Sequence, residues 1–466
     1  MTAAITQNPA LQLAELSSFS IRELHHHFIG MHDDPEQVGA ALFTTDNLRS
    51  HYSKTFKSFA PKATSSAACW YCEWSGLMTT HATAGVLPKT SVAAQTTTLS
   101  RITAIDTLRG VALTLMALTH AAFFIGVGMQ AESYGGQPVS LQSPPYWLSG
   151  LLTTLASPIF FCLAGVSLAL LEQSRVRKGA SSWAVSRFIL ARAGVIMALD
   201  LTICAWLWLG KMPYIHVLTA MGLGMIVLSA LRLLPARMIL AVAVVTLLAH
   251  QGIIEVLRPQ LEAGVPQSLA QALFLTYSYE THPPVGFPLL GWGPVMWLGF
   301  VLGRSLSQPM LRQPRTWVGI GAGLLALWLA LRVIGGYGDL GAYRAGDPLP
   351  QFLVMSKAPP SLSYLAFKLG IAALIFAVLI AFPQMIETGP LRVLTLIGQT
   401  SLFFYVMHIV VYHLLAQAFF AIGAPALPGI VYGYALWALG MLALVSLCGR
   451  YRALRKRHPE SVLRYL

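Results

Sequence analysis

Ten apolar segments run along this chain, at about 108–128, 146–171, 187–209, 214–233, 237–256, 287–305, 317–334, 361–382, 394–420 and 429–448. Each is close to the ~20 residues that a helix needs to cross a bilayer core. Hydrocarbon offers no partner to a backbone N–H or C=O, so a segment of this kind can cross only with its hydrogen bonds closed internally, as a helix. Charged residues make up only 11% of the chain, against roughly 25% in a soluble domain. The expected fold class is therefore all-α, a polytopic integral membrane bundle of about ten transmembrane helices.

The formal net charge of +13 raises the question of nucleic acid. The basic residues argue against it, because they alternate from loop to loop instead of forming a patch. One set of loops and helix ends carries 17 Lys and Arg, the other set five. By the positive-inside rule the richer side is cytoplasmic, which puts both termini there and suits a multi-pass protein of a cell (inner) membrane. Trp206, Trp208 and Tyr214 suit an interfacial belt at the opposite face. Ser268–Tyr279 is apolar but too short to span, and reads as interfacial or re-entrant.

Residues 1–100 are different in kind, rich in Ala, Thr and Ser and without sustained periodicity, and read as a disordered cytoplasmic extension. Residues 101–450 form the membrane domain and 451–466 a basic tail. Met78 is an alternative start, which would make the upstream stretch a gene-calling artefact. The Cys69/Cys72 pair has redox or zinc spacing but no second pair, and His25-His26-His27 has no further clustered ligand, so no metal is expected.

Chemistry concentrates in the polar residues of the apolar segments, where an ionisable side chain costs several kcal/mol and is a functional candidate by default. Residues 101–120 read RITAIDTLRGVALTLMALTH. Asp106 and Arg109 stand at the segment's threshold. His120 lies eleven residues beyond Arg109, about 16 Å deeper and only about 20° round the helix. Near the other end of the chain, Ser401, Tyr405, His408 and Tyr412 follow a 4, 3, 4 spacing that makes one polar stripe. His120 is twelve residues past Leu108 and His408 twelve past Leu396. Both therefore sit about 18 Å along their helices, at similar depth. They read as general bases or as hydrogen-bonded staples between helices. Asp200, midway through the third segment, either orients a histidine or satisfies a neighbouring helix.

Four runs carry a family resemblance: IDTLRGVALTLMALTH (105–120), SPIFFCLAGVSLAL (157–170), KAPPSLSYLAFKLG (357–370) and GQTSLFFYVMHIVVYH (398–413). Together they resemble the heparan-α-glucosaminide N-acetyltransferase catalytic domain, and more broadly the acyltransferase-3 type of membrane acyltransferase. The resemblance implies transfer of an acetyl or other short acyl group from cytoplasmic acyl-CoA, typically acetyl-CoA, to a sugar or glycan at the far face. It makes Arg109 a candidate for the nucleotide's phosphates, with Asp106 orienting it. His120, His408 and Asp200 become the catalytic candidates, by direct transfer or through an acyl-histidine, and Ser401, Tyr405 and Tyr412 the lining of a substrate cavity. Membrane lipid is an expected partner, and an oligomer is compatible with such a bundle. One element departs from the pattern. The heparan enzyme's catalytic histidine lies in the loop between its first two core helices, and here that loop, 129–145, has none. His120 stands where that enzyme has asparagine, so the role moves to His120 or the activity differs, and heparan is not inherited as substrate. The alternative reading is a proton-coupled transporter of a small anion or a lipid-linked glycan, since buried His and Asp serve that task equally well.

Overall fold

The computed structural model describes residues 89–134, 141, 143–210, 213–340, 343, 346–389, 391–423, 428–458 and 461, with side chains from 103 onward. The extension's cysteine pair, its histidine run and Met78 lie outside the described residues. The chain divides at 87/88, and every described residue belongs to the second unit.

That unit is helical almost throughout. Its elements are α1 (Lys89–Phe124), β1 (Glu132–Tyr134), α2 (Pro144–Thr153), α3 (Ala156–Arg177) and α4 (Ser182–Leu199). A π-helical turn at Asp200–Cys204 leads into α5 (Ala205–Leu209), α6 (Val217–Leu231), α7 (Ala236–Glu262), α8 (Leu269–Phe274) and α9 (Leu289–Ser305). Then come α10 (Pro314–Ile334), β2 (Met355–Ala358), α11 (Leu362–Ala381), α12 (Gln384–Glu387), α13 (Leu391–Gln399), α14 (Ser401–Ile422) and α15 (Gly429–Arg457).

All ten apolar segments are helical, and eight spans among the described residues are long and apolar enough to cross a membrane. The other two segments, α6 and α9, have 15 and 17 residues. Both are largely buried by protein, so they need not match the full lipid thickness. Pro158 causes no mid-helix kink. The chain breaks earlier, at Thr154–Leu155, which leaves Pro158 in the first turn of α3, where no N–H is needed. A second break, at Thr400 (φ −118°, ψ 32°), divides one apolar run into α13 and α14. In the Ser268–Tyr279 stretch α8 takes six residues, and Ser278 then pairs with Val285 through two backbone bonds of 2.9 and 2.7 Å.

Small residues set the tightest crossings. A Cβ on Gly398 would lie 1.8 Å from the Asp106 carbonyl oxygen, and one on Gly110 would lie 1.9 Å from that of Leu394. In the same crossing of α1 and α13 the Thr107 and Thr395 hydroxyls meet at 2.7 Å. α3 and α9 cross in the same way through Gly165 and Gly299. Because a backbone carbonyl cannot retreat as a side chain can, Gly398→Val forces α1 and α13 apart. The expected cost is at least the ~1–3 kcal/mol of core overpacking, read as a lower melting temperature and loss of the monodisperse peak in detergent.

Buried ion groups tie helices together at both ends. Glu172 of α3 accepts from Arg232 at the end of α6 (2.6 Å) and from Arg304 of α9 (2.9 Å). Arg332 of α10 reaches both carboxylate oxygens of Asp339 (3.0 and 2.9 Å), and Asp339 also accepts from Ser363 of α11 (2.6 Å). Lys368 of α11 donates to the Leu151 carbonyl (2.8 Å) and to Thr154 Oγ1 (2.7 Å), 3.9 Å from Glu132 of β1. Parallel pairing of β1 with β2 (Glu132↔Met355, Ser133↔Ser356) completes a small two-stranded sheet beyond the end of α1 that carries His120.

Candidate functional site

Equal depth on two helices becomes direct contact. His120 Nδ1 and His408 Nε2 are 2.7 Å apart, with ring centroids at 4.9 Å. The other nitrogen of His408, Nδ1, lies 3.2 Å from the Phe404 carbonyl oxygen. A carbonyl can only accept, so His408 Nδ1 carries a hydrogen. In the neutral ring its Nε2 is then a lone pair, and the short contact requires His120 Nδ1–H to donate into it. The consequence falls on His120 Nε2, which is left with an unprotonated lone pair. His408 is fully buried, whereas His120 is partly exposed. The pair thus joins a buried ring to a partly exposed one, whose Nε2 holds the free lone pair.

Aromatic rings surround the partly exposed member. Trp208 lies 4.5 Å from the His120 ring and stacks on Phe123 at 4.4 Å. His216 follows at 5.3 Å from Trp208, and its Nδ1 is 3.3 Å from the Tyr405 hydroxyl. From His216 the ring contacts continue through Tyr214 (4.9 Å), Tyr279 (6.1 Å), Tyr277 (6.0 Å) and Tyr134 of β1 (5.8 Å). Burial pushes the phenols of Tyr134 and Tyr277, both outside the spans, above their ordinary value, so each keeps its proton. Trp206 is exposed, whereas Trp208 is half-buried against His120 and Tyr214 is buried against His216.

Asp200 has a different part. It is fully buried in the π-helical turn, a geometry frequent at functional sites. Its Oδ2 accepts from the backbone N–H groups of His216 (3.2 Å) and Thr219 (2.8 Å) and from the Thr219 hydroxyl (2.8 Å). The carboxylate therefore caps the start of α6 and holds the backbone of His216. Its hydrogen bonds among the described residues go to no histidine ring. Tyr405 joins the site through His216, but Tyr412 donates to the Trp437 carbonyl at 3.2 Å and fastens α14 to α15. Ser401 stands seven residues before His408, about 10 Å back along the helix.

At the far end of α1, Arg109 Nη1 donates to Asp106 Oδ1 (2.9 Å) and to the Gly398 carbonyl (3.1 Å), while Nη2 donates to Ser167 Oγ (2.5 Å). The break at Thr400 opens the Gly398 carbonyl to this bond. Asp106 thus orients Arg109, and among the described residues these bonds use three of the five guanidinium hydrogens. The residue missed in the sequence is His216. The signal for His216 was there: an imidazole abutting an apolar run is an ionisable group at a membrane threshold.

The helical bundle carries a histidine pair at one end of its first helix and an arginine held by Asp106 at the other. The sequence profile of the family described as "Heparan-alpha-glucosaminide N-acetyltransferase, catalytic" matches residues 101–334, half of the chain. The protein belongs to this family, and its function is of the membrane acetyltransferase type. The matched stretch holds Asp106, Arg109, His120 and Asp200, while His408 lies beyond it. None of the curated proteins matches the chain.

Proposed function

We propose that the protein moves an acetyl or other short acyl group from acyl-CoA, bound from the Arg109 end, to a sugar or glycan at the histidine end. The observation that carries this reading is the 2.7 Å histidine pair and the free lone pair that it leaves on His120 Nε2. As an acceptor hydroxyl or amine attacks the thioester carbonyl, His120 Nε2 takes its proton; the C–S bond breaks, and the imidazolium returns the proton to the departing thiolate. His408 holds the tautomer and stabilises the imidazolium through Nδ1 of His120. An acyl-histidine route would use the same Nε2 as nucleophile. Tyrosines along the wall from His216 to Tyr134 suit a sugar, offering ring faces to its C–H surfaces and phenols to its hydroxyls.

The more basic end is the cytoplasmic one in this reading, which places the donor on the cytoplasmic side of a cell (inner) membrane and the acceptor on the far side. Release of CoA from acetyl-CoA by the purified protein, with amino sugars, hexoses and oligosaccharides offered in turn, tests the proposal. Release that requires an acceptor is the expected result. Absence of release with every acceptor, together with proteoliposome uptake of an anion or glycan independent of CoA, would replace it with transport.

A further inference from the structure

Five rings close a circle that includes the histidine pair. His120 meets His408 at 2.7 Å, and the His408 and Tyr405 ring centroids lie 5.2 Å apart. The Tyr405 hydroxyl is 3.3 Å from His216 Nδ1. His216 stacks on Trp208 at 5.3 Å, and Trp208 returns to His120 at 4.5 Å.

The hydrogens of this circle can be placed. Tyr405 is fully buried, and His216 Nδ1 is the hydrogen-bond partner of its hydroxyl among the described residues. A buried O–H needs an acceptor, so the phenol donates and Nδ1 is a lone pair. In the neutral ring the hydrogen of His216 is then on Nε2, where no acceptor meets it among the described residues. The ring itself is partly exposed. Two imidazole groups of opposite kind are thus left unspent: the lone pair of His120 Nε2 and the N–H of His216 Nε2. His216 is also held on several sides. Asp200 accepts from its backbone N–H, the Ile215 backbone before it is bonded to Pro284 and Gly286, and Phe287 meets the ring edge-on at 5.3 Å.

An acyl transfer uses both kinds of group. When the acceptor's oxygen or nitrogen adds to the thioester carbonyl, its proton passes to His120 Nε2 and the carbonyl π electrons move onto oxygen. A fixed donor aimed at that oxyanion is usually the largest single contribution to such a reaction. We infer that His216 is a catalytic residue whose Nε2–H donates to the carbonyl oxygen as it becomes an oxyanion, with Asp200 and Tyr405 as its positioning residues. His216 keeps its proton throughout: the C=O re-forms, the C–S bond breaks, and the proton on His120 goes to the thiolate. The inference rests on acyl transfer as the proposed function and supplies the electrophilic partner of the base.

The test measures acceptor-dependent CoA release from acetyl-CoA by the full-length protein in nanodiscs, for the wild type, His216→Phe and His216→Gln. His216→Phe keeps a ring against Trp208 and Phe287 but loses the donor. Its kcat should fall about a hundredfold or more, the loss that follows removal of one oxyanion donor, with both KM values little changed. His216→Gln, whose amide N–H can stand in for Nε2–H, should recover a good part of that loss. Tyr405→Phe leaves His216 in place and frees its tautomer, so it should lower kcat in the same direction and serves if neither His216 variant folds. A loss carried by KM alone, equal losses in folded His216→Phe and His216→Gln, or a His216→Phe protein as fast as the wild type would overturn the inference and leave acyl transfer standing. A wild type that releases no CoA with any acceptor removes the proposed function, and the inference with it.

Discussion

His120→Ala should lower kcat by about a thousandfold, within the 10²–10⁴ that a positioned general base contributes, while His408→Gln should retain most of that contribution. The asymmetry follows from the hydrogen positions. His408 Nδ1–H is committed to the Phe404 carbonyl, and its Nε2 does no more than receive the His120 hydrogen. A glutamine amide oxygen can receive it as well and keep His120 in the tautomer that exposes Nε2. His408→Leu, which accepts nothing, releases that constraint and should fall between the two. Rates at saturating donor and acceptor, beside melting curves showing that each variant is folded, would decide. Equal losses in His120→Ala and His408→Gln would mean that the two rings share the proton chemistry and that neither merely orients the other.

Glu172→Gln should be the most damaging single change outside the histidine site. Glu172 is the shared acceptor of Arg232 and Arg304, at 2.6 and 2.9 Å, with Arg232 itself only 3% exposed as a side chain. Removing the carboxylate leaves two guanidiniums facing each other without a counter-charge. Breaking a buried pair from one side costs about 3–5 kcal/mol, read as a shift of the unfolding midpoint in detergent. The second variant, Glu172→Gln with Arg304→Gln, should recover part of the loss because one of the two stranded charges is gone. No recovery would show that the carboxylate's packing, and not its charge, holds α3 to α6 and α9.

Both expectations depend on neighbours brought together across long stretches of chain, and they show where sequence reading reaches its limit. The membrane class and the ten helical segments were legible because apolar length is a local property. So was the matching depth of His120 and His408, since a helix rises by the same step at every residue and depth can be counted from its start. Asp200 was legible as a buried ionisable group, but not its partners, which arrive from 16 and 19 residues later at the start of α6. Trp208 and Tyr214 have a belt residue's composition, and nothing local says that they turn toward His120 and His216.

For this protein the sequence by itself determined the material, the spans, and how far along each helix the polar groups lie, because hydrophobicity and helical rise belong to a segment alone. Tertiary structure decided which groups face one another: His120 with His408, Glu172 with two arginines, Asp200 with a helix start. Azimuth and partner depend on how helices cross, and those crossings are set by contacts such as Gly398 on the Asp106 carbonyl, between residues almost three hundred positions apart.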